Sequence, residues 1–129
     1  MPKVLVVEDT PELRSLLEVR LRQSGYLVVS ADSGEEALRV LAEKGPPDVA
    51  VLDVTMPGMS GLDLHARLSE DPSLATIPVI FLSARIQPED IAAGRALGAV
   101  YLTKPVVILA LTKAIERALR PATAVVGGW

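Results

Sequence analysis

The chain has 129 residues, half of them apolar and 22% charged, with a net charge of −3 from 13 basic and 16 acidic side chains. That length supports one hydrophobic core without a staple, and the lack of cysteine excludes disulfides, thiolate metal centres and a cysteine nucleophile. A single histidine, His65, excludes a His-rich metal site, and the acidic balance with only four aromatic residues argues against direct nucleic-acid binding.

Val4-Leu5-Val6-Val7 is a short apolar run of the kind buried on both faces of a parallel sheet. Thr10-Pro11 reads as a helix start, with Thr10 as N-cap and Pro11 at the first helical position. Leu13, Leu16, Leu17 and Leu21 follow at helical spacing, and Gly25 ends the helix. Residues 27–29 form a second strand. Ser33 and Glu36 make a capping box for a helix that turns Ala37, Leu38 and Leu41 inward and stops at Gly45-Pro46-Pro47. Residues 49–52 form a third strand with Asp53 at its end. The turn Thr55-Met56-Pro57-Gly58-Met59 leads through Ser60 to a third helix carrying Leu62, Leu64 and Leu68.

A fourth strand spans residues 77–82 and a fifth spans 100–102. Between them, residues 88–97 read as a helix weakened by a poor N-cap and by Gly94, which costs about 1 kcal/mol relative to alanine. Val107, Ile108, Leu111, Ile115 and Leu119 line a last helix. The domain is expected over residues 1–121, with 122–129 a loose tail or a truncated linker. Alternating strands and helices imply a parallel sheet covered on both faces. No apolar run approaches a membrane span, and acids at 8 and 9 arrive too early for a signal peptide, so the expected location is the cytoplasm, away from membranes.

In open α/β sheets, function gathers beyond the C-terminal strand ends. Here those ends carry Glu8-Asp9, Asp53, Ser83 and Lys104. Three carboxylates held within a few ångströms repel one another. A hard divalent cation resolves that, and a small oxygen site that keeps waters suits Mg2+. One lysine cannot balance three acids, so the cluster implies a cation and an anionic guest together. The guest is expected to be a phosphoryl group held by Mg2+, Lys104, the Ser83 hydroxyl and backbone N–H groups. A carboxylate in line with it can attack and form an acyl phosphate.

The motifs Val-Leu-Val-Val-Glu-Asp at 4–9, Leu-Asp-Val-Thr-Met-Pro-Gly-Met-Ser-Gly at 52–61, Phe-Leu-Ser-Ala at 81–84 and Gly-Ala-Val-Tyr-Leu-Thr-Lys-Pro at 98–105 stand in this order and spacing. In these the sequence resembles the receiver domain of two-component response regulators, over about residues 3–120. The resemblance implies a flavodoxin-like, doubly wound five-stranded parallel sheet of order 2-1-3-4-5. It implies Asp53 as phosphoacceptor, and Glu8, Asp9 and the Thr55 backbone carbonyl, with Asp53, as the Mg2+ site. It implies Ser83 as the switch hydroxyl, Lys104 as the phosphoryl-contacting lysine, Tyr101 as the aromatic that changes rotamer, and a cis bond before Pro105. Thr55 and Arg85 take positions that tune phosphoryl lifetime. Glu8 stands where aspartate is commoner, Ser83 where threonine is commoner and Val106 where phenylalanine is common; each chemical role survives.

The implied function is a signalling switch, not an enzyme beyond its own phosphotransfer and autodephosphorylation. The implied partners are a sensor histidine kinase or histidine phosphotransfer protein and a downstream protein or effector domain. A homodimer would use the surface of helix 88–97, strand 100–102 and the last helix. Three other readings are weighed. A haloacid-dehalogenase-type phosphatase needs a second aspartate where Thr55 stands. A nucleotide or flavin module needs a glycine-rich turn where Glu8-Asp9 stands. A phosphorylation-independent docking domain is the third. His65 reads as a surface residue without a role, and Met56 and Met59 as loop packing.

Overall fold

Uninterrupted apolar runs set the middle of the sheet, and shorter, partly polar ones set its edges. In the computed structural model, which describes residues 1–84, 88, 89, 92, 96 and 99–120, five strands are assigned. They are β1 (Lys3–Val7), β2 (Leu27–Ala31), β3 (Val49–Asp53), β4 (Val79–Ser83) and β5 (Val100–Thr103), all parallel, in the order β2-β1-β3-β4-β5. Every residue of β3 and β4 is buried, whereas β2 and β5, at the edges, are partly exposed. The order and the parallel pairing match the flavodoxin-like sheet expected from the sequence.

The helices are α1 (Pro11–Gln23), α2 (Gly34–Lys44), α3 (Gly61–Ser69) and α4 (Ile108–Ala118). Strand residues point alternately to the two faces. Val4, Val6, Val51 and Ile80 pack with Leu17 and Leu21 of α1 and Leu111 and Ile115 of α4. Leu5, Val7, Leu52 and Phe81 pack on the other face with Ala37 and Leu41 of α2 and Leu64 and Leu68 of α3. Each of the Val, Leu, Ile and Phe side chains among these contributes about 1.5–3 kcal/mol on burial. None of the helices is long and apolar enough to cross a membrane, among the described residues.

Several expectations need correction. Leu16 and Leu62 are 46% and 43% exposed, because each lies beside the narrow stripe that its helix presents to the sheet, and Val107 is 63% exposed because it is the N-cap that precedes α4 and not part of the helix. The fourth strand starts at Val79, not 77: Ile77 donates its N–H to the Leu74 carbonyl in a turn, and Pro78 has no N–H to give. Thr10 is the N-cap of α1, but its side chain makes no cap bond. Ser33 accepts from Glu36 N–H at 3.1 Å, while the Glu36 carboxylate takes the N–H of Asp32 at 2.8 Å, one residue before the cap. A reciprocal capping box does form, at Ser60 and Asp63. The expected helix over 88–97 with Gly94, the position Arg85 and the segment 122–129 fall largely or wholly outside the described residues.

Candidate functional site

β1, β3, β4 and β5 end on one rim, and their terminal residues converge there. Glu8, the first residue after β1, is fully buried. Its N–H donates to the Ala31 carbonyl at 3.1 Å, which fixes it beside β2. Its Oε2 accepts the Thr10 N–H at 3.0 Å, and its carbonyl accepts from Arg14 Nη1 at 2.9 Å. Asp53 closes β3 and is 2% exposed. Its Oδ1 accepts the Thr55 N–H at 3.2 Å.

Lys104 follows β5, and its N–H donates to the Ser83 carbonyl at 2.9 Å. The peptide bond to Pro105 is cis. The Lys104 ammonium sits 2.9 Å from Glu8 Oε1 and 3.1 Å from Asp53 Oδ1, so one cation spans two buried anions. Asp53 Oδ2 is buried, and no N–H or hydroxyl donates to it among the described residues. Glu8, Asp9 and Asp53 each place a carboxylate oxygen within 4.8 Å of the others.

The charge imbalance shows in the acidities. Burial, and then the Glu8 charge, push Asp53 up to about 7 despite Lys104. At Asp9, burial pulls upward, but hydrogen bonding with Glu8 and Asp53 and the charge of Lys104 outweigh it and hold the group below its ordinary value. At Lys104, burial pulls downward, and the two carboxylates outweigh it and raise the ammonium. Three hard oxygen donors, with a buried lone-pair set left over on Asp53, fit a small divalent cation such as Mg2+.

Ser83 ends β4, 5% exposed, paired in register with Thr103. Thr55 is exposed, two residues past Asp53. Tyr101 lies on the α3 side of the sheet with its ring 5.0 Å from Phe81. His65 is not a simple surface residue: it is half-buried and meets Phe81 edge-on at 5.6 Å, and burial lowers its pKa. The helical position of His65, next to the core residue Leu64, does not reveal that contact. Met56 is buried in the core and Met59 packs against it, as loop packing requires. Sequence reasoning also missed Gly61, whose hydrogen lies against the carbonyl of Asp53. A glycine opening a helix just after the loop that follows Asp53 is the signal that could have found it.

A family model described as the response regulator receiver domain matches residues 4–116. The chain belongs to the response regulator receiver domain family. It is 35% identical to protein PilH of Pseudomonas aeruginosa, over 92% of this chain and 98% of PilH. It is 38% identical to the transcriptional regulatory protein AfsQ1 of Streptomyces coelicolor, over 93% of this chain and 52% of AfsQ1, so the chain spans about half the length of that relative. Among solved structures it resembles the Vibrio cholerae chemotaxis protein CheY4, with a TM-score of 0.84 and 32% identity over 92% of this chain and 99% of that one. The acidic cluster and its lysine therefore stand on the rim of a receiver domain, the C-terminal edge where ligands of open α/β sheets gather.

Proposed function

We propose that this receiver domain is a phosphorylation switch with Asp53 as its phosphoacceptor. The observation that carries the reading is the partly paired Asp53 carboxylate: Oδ1 is held by Lys104 and Thr55, Oδ2 is buried and accepts from no N–H or hydroxyl of the described residues, and Glu8 and Asp9 crowd it. The donor is a phosphohistidine on a sensor kinase or phosphotransfer protein. The Asp53 carboxylate attacks phosphorus, the P–N bond breaks, and its electron pair stays on the imidazole, which takes up a proton. The product is an acyl phosphate on Asp53.

Glu8, Asp9, Asp53 and the Thr55 carbonyl would hold Mg2+, which supplies neutralisation of the charge on the transferred phosphoryl oxygens. Lys104 exchanges part of its contact with Asp53 for the new phosphoryl oxygens. Ser83 turns its hydroxyl toward them. Tyr101 changes rotamer, and the surface of residues 88–97, β5 and α4 changes its partner, which is a downstream protein, an attached effector domain or a second copy of the domain. Differential contacts in the two states make the modification shift an equilibrium. The setting is the cytoplasm, where the kinase's phosphohistidine is made.

The test is intact-protein mass after incubation with Mg2+ and acetyl phosphate. One added phosphoryl group, formed only when Mg2+ is present during the incubation and absent in Asp53→Asn, is the expected result. Labelling of the Asp53→Asn protein at the normal rate would move the acceptor elsewhere. Lys104→Ala is expected to accept phosphate slowly and to transmit the change poorly, read as loss of the phosphorylation-dependent chemical-shift change at Tyr101. A wild-type response at Tyr101 would remove Lys104 from the switch.

A further inference from the structure

Phe81 is the chain's only phenylalanine and is fully buried. It stands two residues before Ser83 on β4, so both side chains leave the strand on the same face. Tyr101 is its register partner on β5, and the two rings lie 5.0 Å apart, tilted by 32°. His65 of α3 meets the same Phe81 ring at 5.6 Å and 77°. Three rings from α3, β4 and β5 thus form one row that ends at the aromatic of the proposed switch.

His65 is half-buried, and no step of the phosphoryl chemistry uses it. Burial holds its pKa below the ordinary value, so at neutral pH the imidazole is uncharged and packs as an aromatic ring. Beside it lies a cleft of about 400 Å³, with Thr76, Ile77, Val79 and Ala99 among its walls. Open volume supplies no partner atoms, so the ring contact and not the cleft holds the row in place on that side. Without the imidazole, Phe81 gains room to tilt toward the cleft, and its contact with Tyr101 loosens.

We propose that His65 is a positioning residue for Tyr101: through Phe81 it holds the Tyr101 ring in its present rotamer, and so sets how much free energy phosphorylation must supply to turn that ring. The meaning of this hold for signalling rests on the phosphorylation switch proposed above. The coupling is reciprocal. A Tyr101 ring that leaves Phe81 releases it, and the release is felt at His65. The helix that carries His65 also opens at Gly61 against the Asp53 carbonyl, so α3 touches both Asp53 and the aromatic row.

The chain holds one histidine, one phenylalanine and two tyrosines, so their ring resonances are readily told apart. In the unphosphorylated protein, the side-chain couplings of Tyr101 give the ratio of its rotamers. His65→Ala is expected to shift that ratio by about two- to ten-fold, the worth of one aromatic pair. His65→Phe, which restores a ring, is expected to return it to the wild-type value. Leu41→Ala, which removes a buried side chain of α2, is expected to leave it there. Phe81→Leu is expected to shift the ratio in the same direction and to make it insensitive to residue 65. An unmoved ratio in His65→Ala overturns the proposal, as does a shift that Leu41→Ala reproduces or that His65→Phe fails to reverse. Should His65→Ala not fold, the wild-type protein decides: Mg2+ and acetyl phosphate are expected to move the His65 Hε1 resonance together with the Tyr101 ring. A Tyr101 that turns while His65 stays fixed overturns the role of His65 and leaves the switch standing. A Tyr101 that does not turn overturns the switch and, with it, the signalling role given to His65.

Discussion

Asp53→Asn is expected to stabilise the metal-free protein at pH 8 by about 2 kcal/mol, or roughly 6 °C in melting temperature, while abolishing phosphorylation. The cause is the burial of a carboxylate 2% exposed, crowded by Glu8 and only partly compensated by Lys104. The sign follows from the shift. Asp53 titrates at about 7 in the folded chain, well above its unfolded value near 3.9. Between those values the folded state binds more protons, so this group's contribution to stability falls as pH rises from about 4 to 7 and stays lost above. Thermal melts in chelator should therefore find the two proteins alike near pH 4 and apart above pH 7. Adding Mg2+ should raise the wild-type melting temperature and narrow the gap. An asparagine variant less stable than wild type at pH 8 would mean that the Lys104 pair outweighs the burial.

Gly61→Ala is expected to destabilise the fold by about 2–3 kcal/mol, near 10 °C, and to slow phosphorylation as well. Gly61 opens α3, and its N–H donates to the Val54 carbonyl at 3.0 Å. A methyl group there would collide with the Asp53 carbonyl oxygen, lie 2.9 Å from the Asp53 carbonyl carbon and 3.1 Å from Val54 Cα. All three are backbone atoms and none can swing aside, in contrast to Gly34, where the obstacle is the Met59 side chain. The better helix propensity of alanine recovers only about 1 kcal/mol. Leu41→Ala, a buried site on α2, is the control: it should lose comparable stability yet keep its phosphorylation rate. Wild-type melting and phosphorylation in Gly61→Ala would remove the close approach as a constraint on the acceptor.

The fold was legible wherever one residue type carried one consequence. Val4-Leu5-Val6-Val7 admits little but a strand buried on both faces, and Gly45 and Pro47 admit little but a helix stop. Leu16 and Leu62 were misread because helical spacing names a stripe without saying how wide the sheet will cut it; the leucine one position off the seam stays wet. The convergence of Glu8, Asp9, Asp53, Ser83 and Lys104 followed from parallel strands alone, since all C-terminal ends share a rim. Three features did not follow. The division of Lys104 between Glu8 and Asp53, the buried Asp53 Oδ2 to which no described N–H or hydroxyl donates, and the His65–Phe81–Tyr101 row depend on side-chain reach across elements, which spacing along the chain does not encode.

The anchoring of the strand ends limits what can move there. Val54 donates to the Leu82 carbonyl at 2.9 Å, Lys104 donates to the Ser83 carbonyl at 2.9 Å, and Asp53 and Ser83 lie in continuous ladders. Asp53, the proposed acceptor, and the Ser83 hydroxyl are thus bolted to one frame, and side-chain torsions are the cheap degrees of freedom at that point. Such rotations settle within nanoseconds to microseconds. In the proposed switch the frame adds no delay of its own, so the duration of each signalling pulse is set by the survival of one covalent bond.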